Sequence, residues 1–275
     1  MSVGTDTMKP SAMQYWYAGV GHAESTLTLD LTDPGWLYGA TIFTTARIYA
    51  QALTHPLTQW PAHCDRLRQS IRTLGWTEPN WAQVETGATQ LARHWPVLRL
   101  TLFPDGRELI IGRSLPKNLP QQQTEGITAW IATTSIDTPR HRSSQLQPDP
   151  DISFSDLKSP ELVSSNPSLP DMASSEPTFL DTSPPDLYHR WAPRLKTGNY
   201  LPAWLAQRSA RAQTADLAIL TDHQGNWLET ATGNLWGWAA GTWWTPPVRH
   251  AALAGISRQQ ILEWLEGHGR AVQQA

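Results

Sequence analysis

Between Asp137 and Asp186 the chain carries nine prolines, abundant Ser and Asp, and only scattered large apolar residues such as Phe154, Leu162 and Phe179. Proline fixes φ and removes a backbone donor, so a run this dense builds neither a helix interior nor a central strand. Too few apolar groups are present to offset the entropy of ordering it. The segment, residues 137–186, is therefore expected to be an insertion, and the fold must come from its flanks. Two roles stand open for it: a solvated loop, or a lid that keeps water from a nearby site.

On the N-terminal side, apolar and β-branched runs near 14 to 18, 42 to 49, 97 to 103 and 107 to 113 predict strands. Helical spacing covers 61 to 74, opened by Pro61 and closed by Gly75, and 80 to 95. A strand is expected from Gly126 to Ser135. Beyond the insertion a helix is expected over about 199 to 213, then strands at 216 to 221, 226 to 229, 233 to 238 and 242 to 245, and a last helix over 256 to 268. The turns His223-Gln224-Gly225-Asn226 and Ala239-Ala240-Gly241 argue for antiparallel neighbours, because tight turns cannot join parallel strands. The pattern is α+β. No G-x-G-x-x-G follows a strand, which disfavours a dinucleotide fold.

A chain of 275 residues is long enough for two compact domains. The expected division is a flexible N-terminus at 1–13, a small domain at 14–120 and a larger one at 121–275 that carries the insertion. A net charge of −3 gives no basic stripe, so nucleic-acid binding is not expected. The sequence holds no run of roughly 20 apolar residues, and its start lacks the apolar core of a signal peptide. No membrane association is expected, and the cytoplasm is the expected compartment. The single cysteine, Cys64, is expected to be a buried packing residue. The nine histidines form no H-x-H or H-E-x-x-H pair, so no metal site is expected. Fifteen tryptophans are expected to serve packing, among them Trp227, Trp236, Trp238, Trp243 and Trp244 on strands of the second half.

Chemistry concentrates in four places. In Leu195-Lys196-Thr197-Gly198-Asn199-Tyr200, a lysine precedes a predicted helix with a tyrosine beside it. A partly desolvated lysine amine with a fixed polar partner suits attack on an aldehyde; the alternative is a solvated surface lysine. In Trp227-Leu228-Glu229-Thr230-Ala231-Thr232-Gly233-Asn234-Leu235, Glu229 ends a strand before a small turn. A carboxylate there either keeps a pyridine nitrogen protonated or simply sits in water. Ala254-Gly255-Ile256-Ser257-Arg258 opens the last helix, where backbone N–H groups and the Ser257 hydroxyl either bind phosphate or cap the helix. In His63-Cys64-Asp65-Arg66-Leu67, Arg66 is a bidentate phosphate donor or a surface arginine. Each need is one that a phosphorylated pyridine aldehyde would have.

Taken in this order, the four segments resemble the class IV pyridoxal-phosphate aminotransferase and lyase family, also called fold type IV. The resemblance begins at Asp33-Pro34-Gly35-Trp36-Leu37-Tyr38-Gly39-Ala40, similar to the family's D-R-G-x-x-x-G-D segment, and runs through Ile42-Phe43-Thr44-Thr45-Ala46-Arg47 and the H-x-x-R-L helix. It resumes from Lys196 to the final helix. It implies a small N-terminal α/β sandwich domain and a larger C-terminal domain of mostly antiparallel strands, a pseudo-barrel, with helices. It implies pyridoxal 5'-phosphate as cofactor, Lys196 as the Schiff-base lysine, Tyr200 on the phenolic oxygen and Glu229 at the pyridine nitrogen. Arg66, Ile256 and Ser257 would hold the phosphate, beside the Thr232-Gly233 turn. A homodimer acting on a small-molecule amine is expected on the same ground.

Three family activities compete: branched-chain aminotransferase, D-amino-acid aminotransferase and 4-amino-4-deoxychorismate lyase of folate biosynthesis. Phe43-Thr44-Thr45-Ala46-Arg47 is similar to the F-T-T-A-R run of some lyases, where aminotransferases more often carry F-E-x-x-R, and this tips the expectation to the lyase. The chain departs from the pattern at Phe103-Pro104-Asp105-Gly106, where many relatives carry an R-G pair. Candidates to meet substrate are Thr44 and Thr45, with Arg47, Arg99 and Arg107 for its carboxylates; a strand arginine with a solvated head is the alternative for each arginine. A non-catalytic member of the fold that binds a small anion or a protein stands as the alternative of another class.

Overall fold

The computed structural model describes residues 13–132, 192–222, 224–248 and 252–274. These fall in one compact unit, Met1–Thr134 with Asp186–Ala275; the insertion 137–186 lies outside the described residues. The first half runs β1 (Tyr15–Tyr17), β2 (Val20–His22), α1 (Pro34–Leu37), β3 (Ile42–Arg47), α2 (Trp60–Leu74), α3 (Trp81–Ala92), β4 (Val97–Leu102), β5 (Glu108–Arg113) and α4 (Leu119–Glu125). The second half runs β6 (Ala129–Ala132), α5 (Leu201–Ala212), β7 (Leu217–Thr221), β8 (Trp227–Thr230), β9 (Gly237–Ala239), β10 (Thr242–Thr245), α6 (Ile256–Gly267) and β11 (Val272–Gln274).

Five strands of the first half form an antiparallel sheet in the order β2-β1-β5-β4-β3. Alternation along each strand gives this sheet two unlike faces. Ile42 and Ala46 of β3, Leu98, Leu100 and Leu102 of β4, and Ile110 of β5 are all but fully buried. They pack with Cys64, Leu67 and Ile71 of α2 and Val84, Ala88 and Leu91 of α3 in one apolar core. Helix α2 has Pro61 in its first turn and stops at Gly75, whose φ of 66° is left-handed, as its sequence signals require. Helix α3 is capped by Asn80, whose side chain accepts from Ala82 and Gln83 N–H. The register puts Phe43, Thr45 and Arg47 opposite Thr101, Arg99 and Val97 on the other face. That face carries the chemistry.

The second half holds two three-stranded sheets, β6-β7-β8 and β9-β10-β11. The sequence-adjacent pairs β7·β8 and β9·β10 are antiparallel, as short turns demand. The pairs β6·β7 and β10·β11 are parallel, because α5 and α6 supply the long crossovers that parallel neighbours need. The expected α+β organisation is present, with the second half more mixed than the turns suggested. Helices α1 and α4 and strands β2 and β11 were not read from the sequence; each is at most seven residues long.

The tryptophans divide. Trp16 and Trp60 are buried, whereas Trp227 and Trp238 are 43% and 62% exposed, so of the expected packing roles these two do not fill a core. Cys64 is buried in the α2 interface as expected, and burial pushes its thiol up to about 12.

Gly87 of α3 faces the Trp16 indole so closely that a Cβ would collide with it. Helix propensity alone favours Ala over Gly by about 1 kcal/mol, but overpacking against a stiff buried ring costs about 1–3 kcal/mol. Gly87→Ala is expected to destabilise the protein by roughly 1–2 kcal/mol in urea denaturation, and to cost less when introduced into a Trp16→Leu background than into the unchanged protein. A stabilised Gly87→Ala protein would show that the indole yields.

Candidate active site

Lys196 is fixed by the start of the central sheet. Phe43 N–H donates to the Lys196 carbonyl (2.8 Å), Gly198 N–H donates to the Thr41 carbonyl (2.6 Å), and Ile42 bridges to Thr197. A Cβ at Gly198 would strike the Thr41 hydroxyl, so this approach requires glycine. The backbone at Lys196 is thereby stitched to β3, and its Nζ lies 4.9 Å from the Phe43 ring centre and 5.6 Å from that of Tyr200. Tyr200 opens α5, donates its hydroxyl to the Ala231 carbonyl (3.0 Å) and meets the Phe43 ring edge to face. The amine is thus flanked by two aromatic rings on backbone that cannot drift.

Glu229, one residue before the end of β8, is buried, and its Oε2 accepts from Leu253 N–H (3.1 Å). The turn after it closes on itself: Thr230 N–H and Oγ1 both donate to the Gly233 carbonyl, and Gly233 N–H donates back to Thr230 Oγ1. Asn234 then reaches across to the Leu253 carbonyl (2.8 Å), and a Cβ at Gly255 would collide with its amide. Glu229 and Asn234 therefore clamp Leu253 from both sides and set where α6 begins. The N-cap of α6 is Gly255, with no side-chain cap, so Ser257 stands at the second helical position instead of capping the helix. Among the described residues no side chain caps the N–H groups of that first turn, which is what an anion site needs.

Arg66 projects from α2 toward the same place. Its Nη2 donates to Thr44 Oγ1 (2.6 Å), and Thr44 Oγ1 lies 2.5 Å from His63 Nδ1. Its Nε is buried and has no acceptor among the described residues. Burial lowers the guanidinium to about 10 and, with the neighbouring Arg66 and Lys196 charges, lowers His63 to about 3. His63 is therefore neutral at any physiological pH.

These groups line one cavity of about 410 Å³. Lys196, Tyr200, Glu229, Thr232, Gly233, Ile256, Ser257, Arg66, Thr45 and Arg99 all stand on its wall, so the structure brings ten of the sequence candidates together. Three others stand elsewhere. Thr44 is fully buried on the helix-facing side of β3, since neighbours on a strand point to opposite faces. Arg47 lies on the cavity side of the sheet but further along it, in a neighbouring depression, stacked over Tyr49 at 5.3 Å. Arg107 is held away by Asp33 (2.6 Å), Asp105 and Tyr17. Reasoning from sequence missed His63, Arg113 and Asn234, which also line the cavity. His63 was within reach of the pattern, being three residues before Arg66 on one helix. Arg99 lies over the Phe43 ring at 3.6 Å, and desolvation first, then the Arg113 charge, lowers its pKa.

The model of the family described as amino-transferase class IV matches residues 41–275. The chain belongs to that family. Its fold is similar to that of 4-amino-4-deoxychorismate lyase from Pseudomonas aeruginosa, at 17% identity over 94% of this chain and 80% of that one, with a TM-score of 0.60. It is similar to a branched-chain aminotransferase from the thermophilic archaeon Thermoproteus uzoniensis, solved with norvaline, at 17% identity over 95% and 77%, TM-score 0.63. A third likeness is to a hypothetical aminotransferase from Mycobacterium tuberculosis in its PLP-bound form, at 16% identity over 95% and 81%, TM-score 0.66. A search of curated proteins gave no match. At these identities the structures speak for the fold. Class IV members are pyridoxal-phosphate enzymes, so the chain is such an enzyme, a lyase or an aminotransferase, and the reading as a non-catalytic scaffold falls away.

The cavity fits the cofactor. The orphaned Arg66 Nε and the α6 first turn offer donors to a phosphate, and a volume of about 410 Å³ lies in the range of small-molecule sites.

His63 also sets a pH response. Above pH 6.5 the group is neutral folded and unfolded and adds no pH dependence. As pH falls, the unfolded chain takes up a proton that the folded one refuses until about pH 3, so stability is lost across that window. Between pH 7 and 5 the loss is about 2 kcal/mol. His63→Asn keeps an acceptor near Thr44 without the titration, and its urea midpoint is expected to fall less over that interval. Equal pH slopes in the two proteins would contradict the neutral, buried imidazole.

Proposed function

We propose that the protein is a 4-amino-4-deoxychorismate lyase, releasing p-aminobenzoate and pyruvate for folate biosynthesis, as a cytoplasmic homodimer. The observation that supports this reading is the charge of the cavity wall: Arg66, Arg99, Arg113 and Lys196 stand against the one carboxylate of Glu229. With Arg66 assigned to the cofactor phosphate and Lys196 to the amine, Arg99 and Arg113 remain for substrate. They lie diagonally across β4 and β5 on one face, since Arg113 pairs with Val97, two residues before Arg99. A substrate with two carboxylates matches two cations. A branched-chain amino acid offers one carboxylate and an apolar chain, against which a half-buried arginine would be left uncompensated.

Bound pyridoxal 5'-phosphate supplies a sink for the electron pair released at the amine-bearing carbon. Around it, Glu229 would offer a carboxylate to the pyridine nitrogen, Tyr200 its hydroxyl to the phenolic oxygen, and Arg66 with the Ile256 and Ser257 turn would bind the phosphate. Thr232 and Gly233 shape the floor of the site. Lys196 Nζ would hold the cofactor, and the same amine is the base placed to take the proton from the ring carbon that carries nitrogen. Arg99 and Arg113 hold the substrate carboxylates while the C–O bond to the enolpyruvyl group breaks, the ring becomes aromatic and the departing enol gains a proton at its methylene carbon. Thr45, opposite Arg99 in the register, is the member of the Thr44-Thr45 pair that faces this chemistry.

The cofactor-loaded protein is expected to convert 4-amino-4-deoxychorismate to p-aminobenzoate, followed by fluorescence, with no keto acid added. Arg99→Met is expected to raise KM by about 10- to 100-fold, the scale of a lost hydrogen bond to a charged group in a half-buried site. The exposed Arg113 is expected to matter less, by about 2- to 5-fold in the Arg113→Met protein. Absence of p-aminobenzoate, together with amino-acid turnover that depends on a keto acid, would move the function to an aminotransferase.

A further inference from the structure

Thr44 is fully buried on the side of β3 away from the cavity, yet it is polar and in contact with two polar groups from α2. One assignment of protons leaves the buried Thr44 hydroxyl hydrogen with an acceptor among the described residues. Arg66 is only a donor, so the Thr44 oxygen accepts from Nη2, and the one hydroxyl hydrogen is left for His63 Nδ1. His63 Nδ1 must then be the acceptor, which fixes the neutral tautomer with its proton on Nε2. Burial and the flanking Arg66 and Lys196 charges keep that imidazole neutral, so one of its two ring nitrogens is always an acceptor.

We propose that Thr44 and His63 are positioning residues for Arg66: the relay Arg66 Nη2–H to Thr44 Oγ1 to His63 Nδ1 locks one edge of the guanidinium into β3 and α2. Its buried Nε–H, which has no acceptor among the described residues, is thereby left for the anion in the cavity. The inference rests on the reading of Arg66 as the cofactor-phosphate ligand and adds what holds that ligand in place. A free arginine side chain carries about 2 kcal/mol of rotamer entropy. A guanidinium already fixed along one edge loses less of its freedom when the anion arrives, which is how preorganisation raises affinity. The β-branched Thr44 is suited to this, because its rotamer is stiff.

The test is equilibrium binding of pyridoxal 5'-phosphate and of pyridoxal, which lacks the phosphate, to the apoprotein, read by absorbance. Thr44→Val keeps the shape and removes both the acceptor and the donor. It is expected to weaken pyridoxal phosphate binding by about tenfold while changing that of pyridoxal by less than about twofold. Thr44→Ser, which keeps the hydroxyl, is expected to restore most of the affinity. In Arg66→Ala the preference for the phosphorylated form is expected to collapse, and adding Thr44→Val there should cost nothing further, as for residues acting through one interaction. An Arg66→Ala protein that keeps the preference would overturn the reading of Arg66 itself. Collapse in Arg66→Ala with an unchanged preference in Thr44→Val would overturn the relay alone. Equal losses for the two ligands in Thr44→Val, or no recovery in Thr44→Ser, would make Thr44 a packing residue and overturn the relay as well.

Discussion

The site depends on a short antiparallel junction in which the Lys196 carbonyl accepts from Phe43 N–H and the Thr41 carbonyl accepts from Gly198 N–H. Through it, the one lysine amine among the described residues of the cavity wall is tied to the edge strand of a sheet whose other face is an apolar core. Backbone hydrogen bonds of this kind are modest in net energy, about 1 kcal/mol each, but expensive to leave unmade once buried. Rigidity is the gain: the lysine stem moves, its anchor does not. The same strand also supplies Phe43 to the amine, Thr45 to the cavity and Thr44 to Arg66, so one six-residue element serves both of its faces at once.

Electrostatics follows from that construction. Among the described residues the cavity wall gathers several cations around a single carboxylate; desolvation lowers the pKa of Arg66, and desolvation followed by the Arg113 charge lowers that of Arg99. An arrangement of this sign is unfavourable without bound anions and favourable with them. Binding a phosphorylated cofactor would relieve that repulsion, and the proposed acidic substrate would relieve it further.

Much of this was legible in the sequence because it is local. A lysine before a helix, a glutamate before a glycine turn, and a Gly-Ile-Ser step into the last helix are each set by neighbours in the chain, and all three converge on the cavity. Helix α2 was readable from Pro61 and Gly75 for the same reason. What failed was what depends on facing. Thr44 and Thr45 were read as a pair reaching substrate, although the alternation of a strand sends them to opposite sides of the sheet. Arg107 looked as free as Arg99, and only the fold brings Asp33 from 74 positions away to occupy it. Arg113 and Asn234 gain their places through strand register and through a loop joined to α6, neither of which has a signature in a single sequence. Trp227 and Trp238 were misjudged because a large aromatic on a strand is buried only where another layer covers it.

The central claim is that Lys196 is the residue that holds the cofactor covalently. Reduction of the cofactor-loaded protein with borohydride, followed by peptide mass spectrometry, tests it most directly. The account predicts one pyridoxyl adduct, on the peptide containing Lys196, with Lys9, Lys117 and Lys158 unmodified. An adduct on another lysine, or none in protein that shows bound cofactor by absorbance, would contradict it.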